Sequence, residues 1–197
     1  MALSALGLAG ALFLGVVVGA GFAAKARAIR GASLLYVEAV RNVPLLVHMY
    51  AWYLGFAALR LPGFVCATLG LTVYSAAYVA EIMRAGIAGV PQGQREAGAA
   101  LGLSRGRVLR LVVLPQALRA VLPSLGNLAS QVVKDSSLAS VIAVGELAYQ
   151  AGAIDGETFR TFEVYSTITV LYLMLVTVVG LGLHAAFGGR GVALADA

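Results

Sequence analysis

The sequence predicts an all-α, polytopic membrane protein, and three observations carry that expectation. Only 12% of the 197 residues are charged and 60% are hydrophobic, where a soluble domain has roughly one-quarter charged residues. Mean hydropathy is correspondingly high, at +0.91. Charge-free runs cover Leu3–Ala24, Val43–Leu59, Leu61–Ala80 and Val164–Phe187, each near the roughly 17 to 25 residues that a helix needs to cross the hydrocarbon core. A fifth apolar region, Ala120–Gly145, is broken by Lys134, Asp135, Ser136 and Ser137. Five crossings are therefore expected in one domain covering residues 1–197, without linkers, repeats or low-complexity tracts.

No basic residue precedes the first crossing, whereas Lys25, Arg27 and Arg30 follow it. Charges on that side retain a helix as an anchor with its N-terminus outside, rather than marking a cleaved leader. The second crossing carries His48 as a lone polar residue, expected to face the bundle interior or a water-filled path. Tyr50, Trp52 and Tyr53 read as an interfacial aromatic anchor. In the third crossing, Cys66 is the single cysteine, so the chain forms no internal disulfide and no thiolate cluster. It is expected to pack as a small hydrophobe. Tyr74 and Tyr78, four apart, share one face and are expected to pack against neighbouring helices rather than line a passage. Glu81 and Arg84 are spaced i, i+3 and should neutralise each other.

The fourth crossing is the unusual one. Ala120–Val133 supplies about 14 residues and Leu138–Gly145 about 8, so at roughly 1.5 Å per residue neither piece spans alone. Together they read as one interrupted helix. Charges at such depth are costly unless they face protein or water, and transporters bind solute at broken-helix ends. Lys134 and Asp135 read either as a mutually neutralising pair or as solute contacts. Ser136 and Ser137 are the stronger contact candidates, Asp135 suits a substrate ammonium, and Glu146 joins it as an acid near the outer half. His184, at the end of the fifth crossing, reads as interfacial.

A formal net charge of +5 does not signify nucleic acid, because the basic residues follow topology. Lys25, Arg27, Arg30 and Arg41 lie between the first two crossings. Arg84, Arg95, Arg105, Arg107, Arg110 and Arg119 lie between the third and fourth, and Arg190 follows the fifth, so eleven of fourteen share one side. That side is predicted to be cytoplasmic. Only Arg60, Lys134 and Arg160 remain for the other face, with Asp155, Glu157 and Glu163.

The loop of about residues 84–119 is too polar for lipid and needs a fold of its own. Gly89-Val90-Pro91 stops the preceding helix. Gln92–Leu101 then reads as a short Ala-rich helix with Glu96 in an early turn, where its charge suits the helix dipole. Gly102 fits the left-handed position that ends such a helix. Ala97, Gly98, Ala99 and Ala100 give the helix a thin wall, suited to close approach to a groove on a soluble partner. A face made mostly of Ala and Gly has poor affinity for a bilayer surface, although the arginines taken alone read as contacts to anionic lipid.

The stretch GVPQGQREAGAALGLSRGRVLRLVVLP resembles the cytoplasmic EAA loop of ABC-importer permeases: Glu96, Ala97, Gly98, Gly102, Val112, Leu114 and Pro115 stand in register, with Gly98 in place of the usual second Ala. From about Tyr36 to Tyr172, the segments YVEAVRNVPLLVHMY, VLPQALRAVLPSLGN, VKDSSLASVIAVGEL and FRTFEVY are similar to those of the polar amino-acid uptake branch. Arg41-Asn42-Val43-Pro44 replaces the usual Arg-Gly-Thr-Pro, and Gly145 stands where Pro is common.

The resemblance implies a five-helix permease fold of the type I importers in the bacterial cytoplasmic membrane, N-terminus out and C-terminus in, with Glu96, Ala97, Gly98, Gly102 and Pro115 coupling to ATPase subunits. It also implies a second permease subunit, identical or paired, and a periplasmic or lipid-anchored solute-binding protein. No cofactor is expected, since ATP is bound by the partner.

Three rival readings remain. An intramembrane enzyme would recruit His48, Ser136, Ser137, Glu81 and Asp135, but no metal-ligand spacing, Gly-x-Ser-x-Gly turn or phosphate-binding loop is present. A passive channel has no need of a docking loop. Permeases for methionine or an oxyanion share the loop but match the flanking segments less well.

Overall fold

The computed structural model describes residues 1–187, which form helices joined by short turns with no strand among them. The expectation for Arg190 and that for the His184 side chain lie outside what is described. In chain order the elements are α1 (Ala2–Gly21), α2 (Arg27–Arg41), α3 (Leu45–Gly55), α4 (Gly63–Gly89), α5 (Gln92–Ala100), α6 (Arg105–Val108), α7 (Leu114–Asp135), α8 (Leu147–Thr158) and α9 (Thr161–Phe187). Among the described residues, four stretches are long and apolar enough to cross a membrane: Ala2–Gly21, Gly63–Gly89, Arg105–Ile142 and Thr161–Leu183.

Helix α4 is the hub, packed by α1, α2, α3 and α7. Its most extensive partner is α1, which buries Leu3, Gly7, Ala11 and Gly15 along one stripe. A Cβ at Gly15 would overlap the Val79 side chain and sit 2.8 Å from the Ala76 carbonyl oxygen, so glycine is what lets these backbones close. Lipid offers no hydrophobic drive between helices, and small-residue interfaces supply van der Waals contact instead. Cys66 is buried in this core beside Met49 and Leu71, as expected of it. Further along α4, Val37 and Val40 of α2 pack on Ala77 and Ala80.

Two expected spans differ from the structure. The run Val43–Leu59 does not form one crossing: α3 holds 11 residues, about 16 Å at 1.5 Å per residue, which is too short for the hydrocarbon core. It follows α2 across a break at Asn42-Val43-Pro44. Proline has no N–H for the helix ladder and biases the residue before it towards extended backbone.

The second difference concerns the fourth crossing. Helix α7 begins well before Ala120 and holds 22 residues, so its first part is not a short half-helix. Nor is the chain broken at Lys134. Helix α7 runs through Asp135, and Ser136–Ile142 tightens into a 3₁₀ helix closed by Ala143 in the left-handed conformation, φ 58°. Periodicity did not predict α8, whose composition is polar enough to read as loop.

Candidate functional site

The chain from Gly89 to Pro115 builds a compact projection. Val90 takes extended backbone ahead of Pro91 and ends α4, as the clash between proline and its predecessor requires. Helix α5 then closes on Gly102, whose φ is +75°. The Gly102 N–H donates to the Ala99 carbonyl at 2.9 Å and the Leu103 N–H donates to the Gly98 carbonyl at 3.2 Å. This pair of bonds is the Schellman closure, which requires a left-handed residue at that position. The sequence-based expectation for Gly102 is therefore met in its geometry.

Two details of the loop differ. Glu96 lies beyond the first turn of α5, where the dipole acts, and receives a hydrogen bond at 3.0 Å from Gln92 Nε2. Gly98 does not belong to the thin outer wall. It is the one buried residue of α5, and a Cβ there would lie 3.1 Å from Val108 Cγ2. The space an alanine side chain would take is filled by Val108. Outward the helix presents Glu96, Ala97, Ala99 and Ala100, then Leu101, which is 82% exposed.

The projection is held firmly to the helices that flank it. Arg95 Nη2 donates to the Ile87 carbonyl of α4, and Val90, Val108, Val113 and Ala117 form a small core beneath α5. Leu109–Val113 makes a wide π-turn between α6 and α7. Pro115, exposed at the start of α7, has no N–H to give a preceding carbonyl. Gln116 Nε2 donates to the Val112 carbonyl at 2.9 Å, so the irregular turn is partly satisfied by a side chain.

The five candidates for a solute path fall into different surroundings. Ser136 is 7% exposed; its hydroxyl accepts from Ser4 Oγ at 3.0 Å and donates to the Val133 carbonyl at 2.8 Å, locking α1 to the end of α7. Glu146 caps α8, accepting from the Tyr149 N–H at 2.8 Å and from the Tyr172 hydroxyl of α9 at 2.9 Å. Both of its oxygens are thus engaged within the chain.

His48 Nε2 lies 3.1 Å from the Val40 carbonyl oxygen and donates to it, bridging the break between α2 and α3. Ser137 is half-buried and its carbonyl accepts from Ser140 Oγ at 2.7 Å. Asp135 is half-buried and accepts at 2.7 Å from Gln131 Nε2. No Lys134–Asp135 ion pair forms among the described residues, because adjacent helical residues point apart.

Sequence reasoning missed a second polar cluster, where α2, α3 and α4 meet. The Tyr74 and Tyr78 hydroxyls are 3.0 Å apart, the His48 ring stands 5.7 Å from that of Tyr74, and the Arg41 guanidinium lies over the Tyr78 ring at 5.4 Å. Glu81 takes both bonds of a bidentate contact from Arg84, at 2.6 and 2.9 Å, in the pairing expected. Tyr74, Tyr78 and Glu81 follow i, i+4, i+7 spacing along one face of α4, a signal visible in the sequence. No group of three or more His, Cys, Asp or Glu side chains able to hold a metal occurs among the described residues.

Residues 11–190 match the family of binding-protein-dependent transport system inner membrane components. The chain is 37% identical over 183 residues to the probable glutamine ABC transporter permease protein GlnM of Bacillus subtilis, covering 92% of this chain and 85% of the relative. It is 38% identical over 180 residues to the glutamine transport system permease protein GlnP of Escherichia coli, covering 89% and 82%. A crystal structure of an amino acid ABC transporter with histidines superposes with a TM-score of 0.88 at 33% identity, covering 93% of this chain and 86% of that one. The shared fold and the matched length place this chain in the family of binding-protein-dependent inner membrane permeases of ABC importers.

Proposed function

We infer that the chain is a permease subunit of an ABC importer that carries a polar amino acid across the bacterial cytoplasmic membrane, with ATP hydrolysis on a separate subunit. The observation that carries the coupling part of this reading is the geometry of α5. A short helix, strapped to α4 and α7 and capped by a left-handed glycine, presents Glu96, three alanines and Leu101 outward. A rigid projection of that shape suits a groove on a soluble ATPase, which agrees with helix-in-groove recognition in general. Force applied to α5 would be transmitted through Arg95 to α4 and through the π-turn to α7. Two permeases, identical or paired, would be drawn together as their ATPases close, opening the path to the solute-binding protein outside.

In this reading α1, α4, the continuous stretch Arg105–Ile142 and α9 are four crossings, and α2 with α3 is a fifth, broken one. The basic asymmetry puts α5 inside the cell and α8 outside. A cysteine at Gly106 would be labelled by an impermeant thiol reagent from the cytoplasmic side alone, and one at Gly156 from outside alone, in a chain with Cys66 replaced. The reverse pattern overturns the orientation.

Both named relatives are glutamine permeases by name, which favours glutamine as the first solute to try. The functional test is uptake of radiolabelled L-glutamine into vesicles that contain the permease, its co-purified ATPase and the loaded binding protein. Uptake that needs ATP supports the importer reading; equal flux without ATP or ATPase makes the chain a passive channel.

A further inference from the structure

We propose that the first half of α2 is a binding surface for anionic phospholipid, with Lys25, Arg27 and Arg30 holding head-group phosphates and the apolar face beside them lying on acyl chains. After α1 the chain turns through Ala23 and Ala24, whose N–H groups donate to the Ala20 and Gly21 carbonyls at 3.1 Å each, and it enters α2 at Arg27. Helix α2 is held by one face. A Cβ at Gly21 would overlap Ser33 Oγ, so the end of α1 sits directly against α2. Val37 and Val40 pack on Ala77 and Ala80, in the half of α4 that leads to α5. Ser33, Val37 and Val40, spaced i, i+4, i+7, are the buried residues of the helix.

Two other faces are uncovered. Ala28, Ala32, Leu35 and Ala39 follow the i, i+4, i+7, i+11 spacing of a second face, and all four are exposed, Leu35 at 71%. Before the turn, α1 likewise exposes Phe13, Val16 and Val17, so apolar surface is bare on both sides of it. Arg27 and Arg30, spaced i, i+3, share a third face, with Lys25 just ahead of them, and all three are exposed. Among the described residues, the arginine side chains that donate hydrogen bonds are Arg84 and Arg95, and the ion pairs involve Arg41 and Arg84. Lys25, Arg27 and Arg30 take part in none. The single acid of α2, Glu38, stands eight residues beyond Arg30. Unmatched positive charge thus lies beside bare apolar surface, next to the end of a span, where basic groups attract anionic head groups. An acidic protein surface would match the cations and leave the Leu35 face in water, whereas a bilayer satisfies both. The leaflet follows from the orientation given above, which the Gly106 and Gly156 labelling decides separately.

The test uses the permease–ATPase complex in vesicles, with Cys66→Ala and a bimane fluorophore on Ala28→Cys as a local reporter. Brominated phosphatidylglycerol should quench the fluorophore more than brominated phosphatidylcholine at the same mole fraction, and high salt should shrink that preference. Arg27→Gln and Arg30→Gln should each reduce the ratio of the two apparent affinities about fivefold. Arg27→Lys and Arg30→Lys keep the charge and should retain most of it, and ATPase co-purification should be unchanged in all four variants. If the glutamine variants do not assemble, the comparison of the two lipids in the otherwise unmodified chain still decides. Equal quenching by the two lipids, or quenching by neither, overturns the surface. So does a preference indifferent to salt and to both glutamine substitutions. Loss of the ATPase from the glutamine variants, in a complex without lipid preference, would assign the cations to an acidic face of a protein partner and overturn the lipid surface as well.

Discussion

The α5 projection and the segment from Asp135 to Glu146 are both polar islands in an apolar chain, and they use their polarity in opposite ways. Around α5 the small and charged residues turn outward: Glu96, Ala97 and Leu101 are exposed and only Gly98 is buried. From Asp135 to Glu146 the polar groups turn inward. Ser136 is clasped by Ser4 and Val133, and Glu146 by Tyr149 and Tyr172. An unsatisfied polar group in hydrocarbon costs several kcal/mol, so the second island is cemented within the chain. A partner outside the membrane imposes no such demand, so the first island is left open.

The largest effects should come from the outward island. Gly102→Asp adds a Cβ where φ is +75°, a conformation that glycine reaches without steric cost, and places a charge beside the exposed Leu101. Glu96→Lys reverses the charge of the same face. In both variants the protein should stay in the membrane while ATPase association and L-glutamine uptake fall to background. Normal uptake by both would remove the distinction between the islands.

The contrast can be sharpened inside α5 itself. Gly98→Val forces a branched side chain into the space held by Val108, and overpacking of this kind costs about 1–3 kcal/mol. The thermal midpoint of the purified protein should drop. Ala97→Val adds the same group on the exposed face, so the midpoint should hold while ATPase association weakens. Equal behaviour of the two would mean that α5 has no inner and outer side.

The legible part of this molecule was whatever local chemistry forces. The apolar runs gave the spans of α1, α4 and α9, and Gly102 announced its own left-handed turn two residues after a stretch of alanines. The spacing Glu81–Arg84 gave its ion pair. What sequence missed depends on contacts made far along the chain. Ser136 looked like a solute ligand because its partner, Ser4, lies 132 positions away. Glu146 looked like a free acid, yet it caps a helix that periodicity did not predict. Arg41 counted only as a topological charge, whereas its place over the Tyr78 ring depends on a helix far along the chain.

Smaller effects should follow from the inward island. Glu146→Ala removes the N-cap of α8 and its tie to Tyr172, and losing a cap costs about 0.5–2 kcal/mol. Hydrogen exchange should quicken in α8 while α5 and its ATPase association are untouched. Protection of α8 equal to that of the unmodified chain would make the cap irrelevant.

The smallest effect on transport is expected at Ser136, and it separates cement from path most cleanly. Ser136→Ala leaves the buried Ser4 hydroxyl without its partner, and an orphaned buried donor costs about 1–3 kcal/mol. Ser4→Ala should cost a similar amount, and the double variant should cost less than the sum, because the two residues share one interaction. Thermal unfolding of the four proteins measures that coupling directly. Solute affinity should stay at the unmodified value in all three variants, since the buried hydroxyl faces α1. Additive costs together with a changed affinity for L-glutamine would put Ser136 on the path and leave the two islands alike.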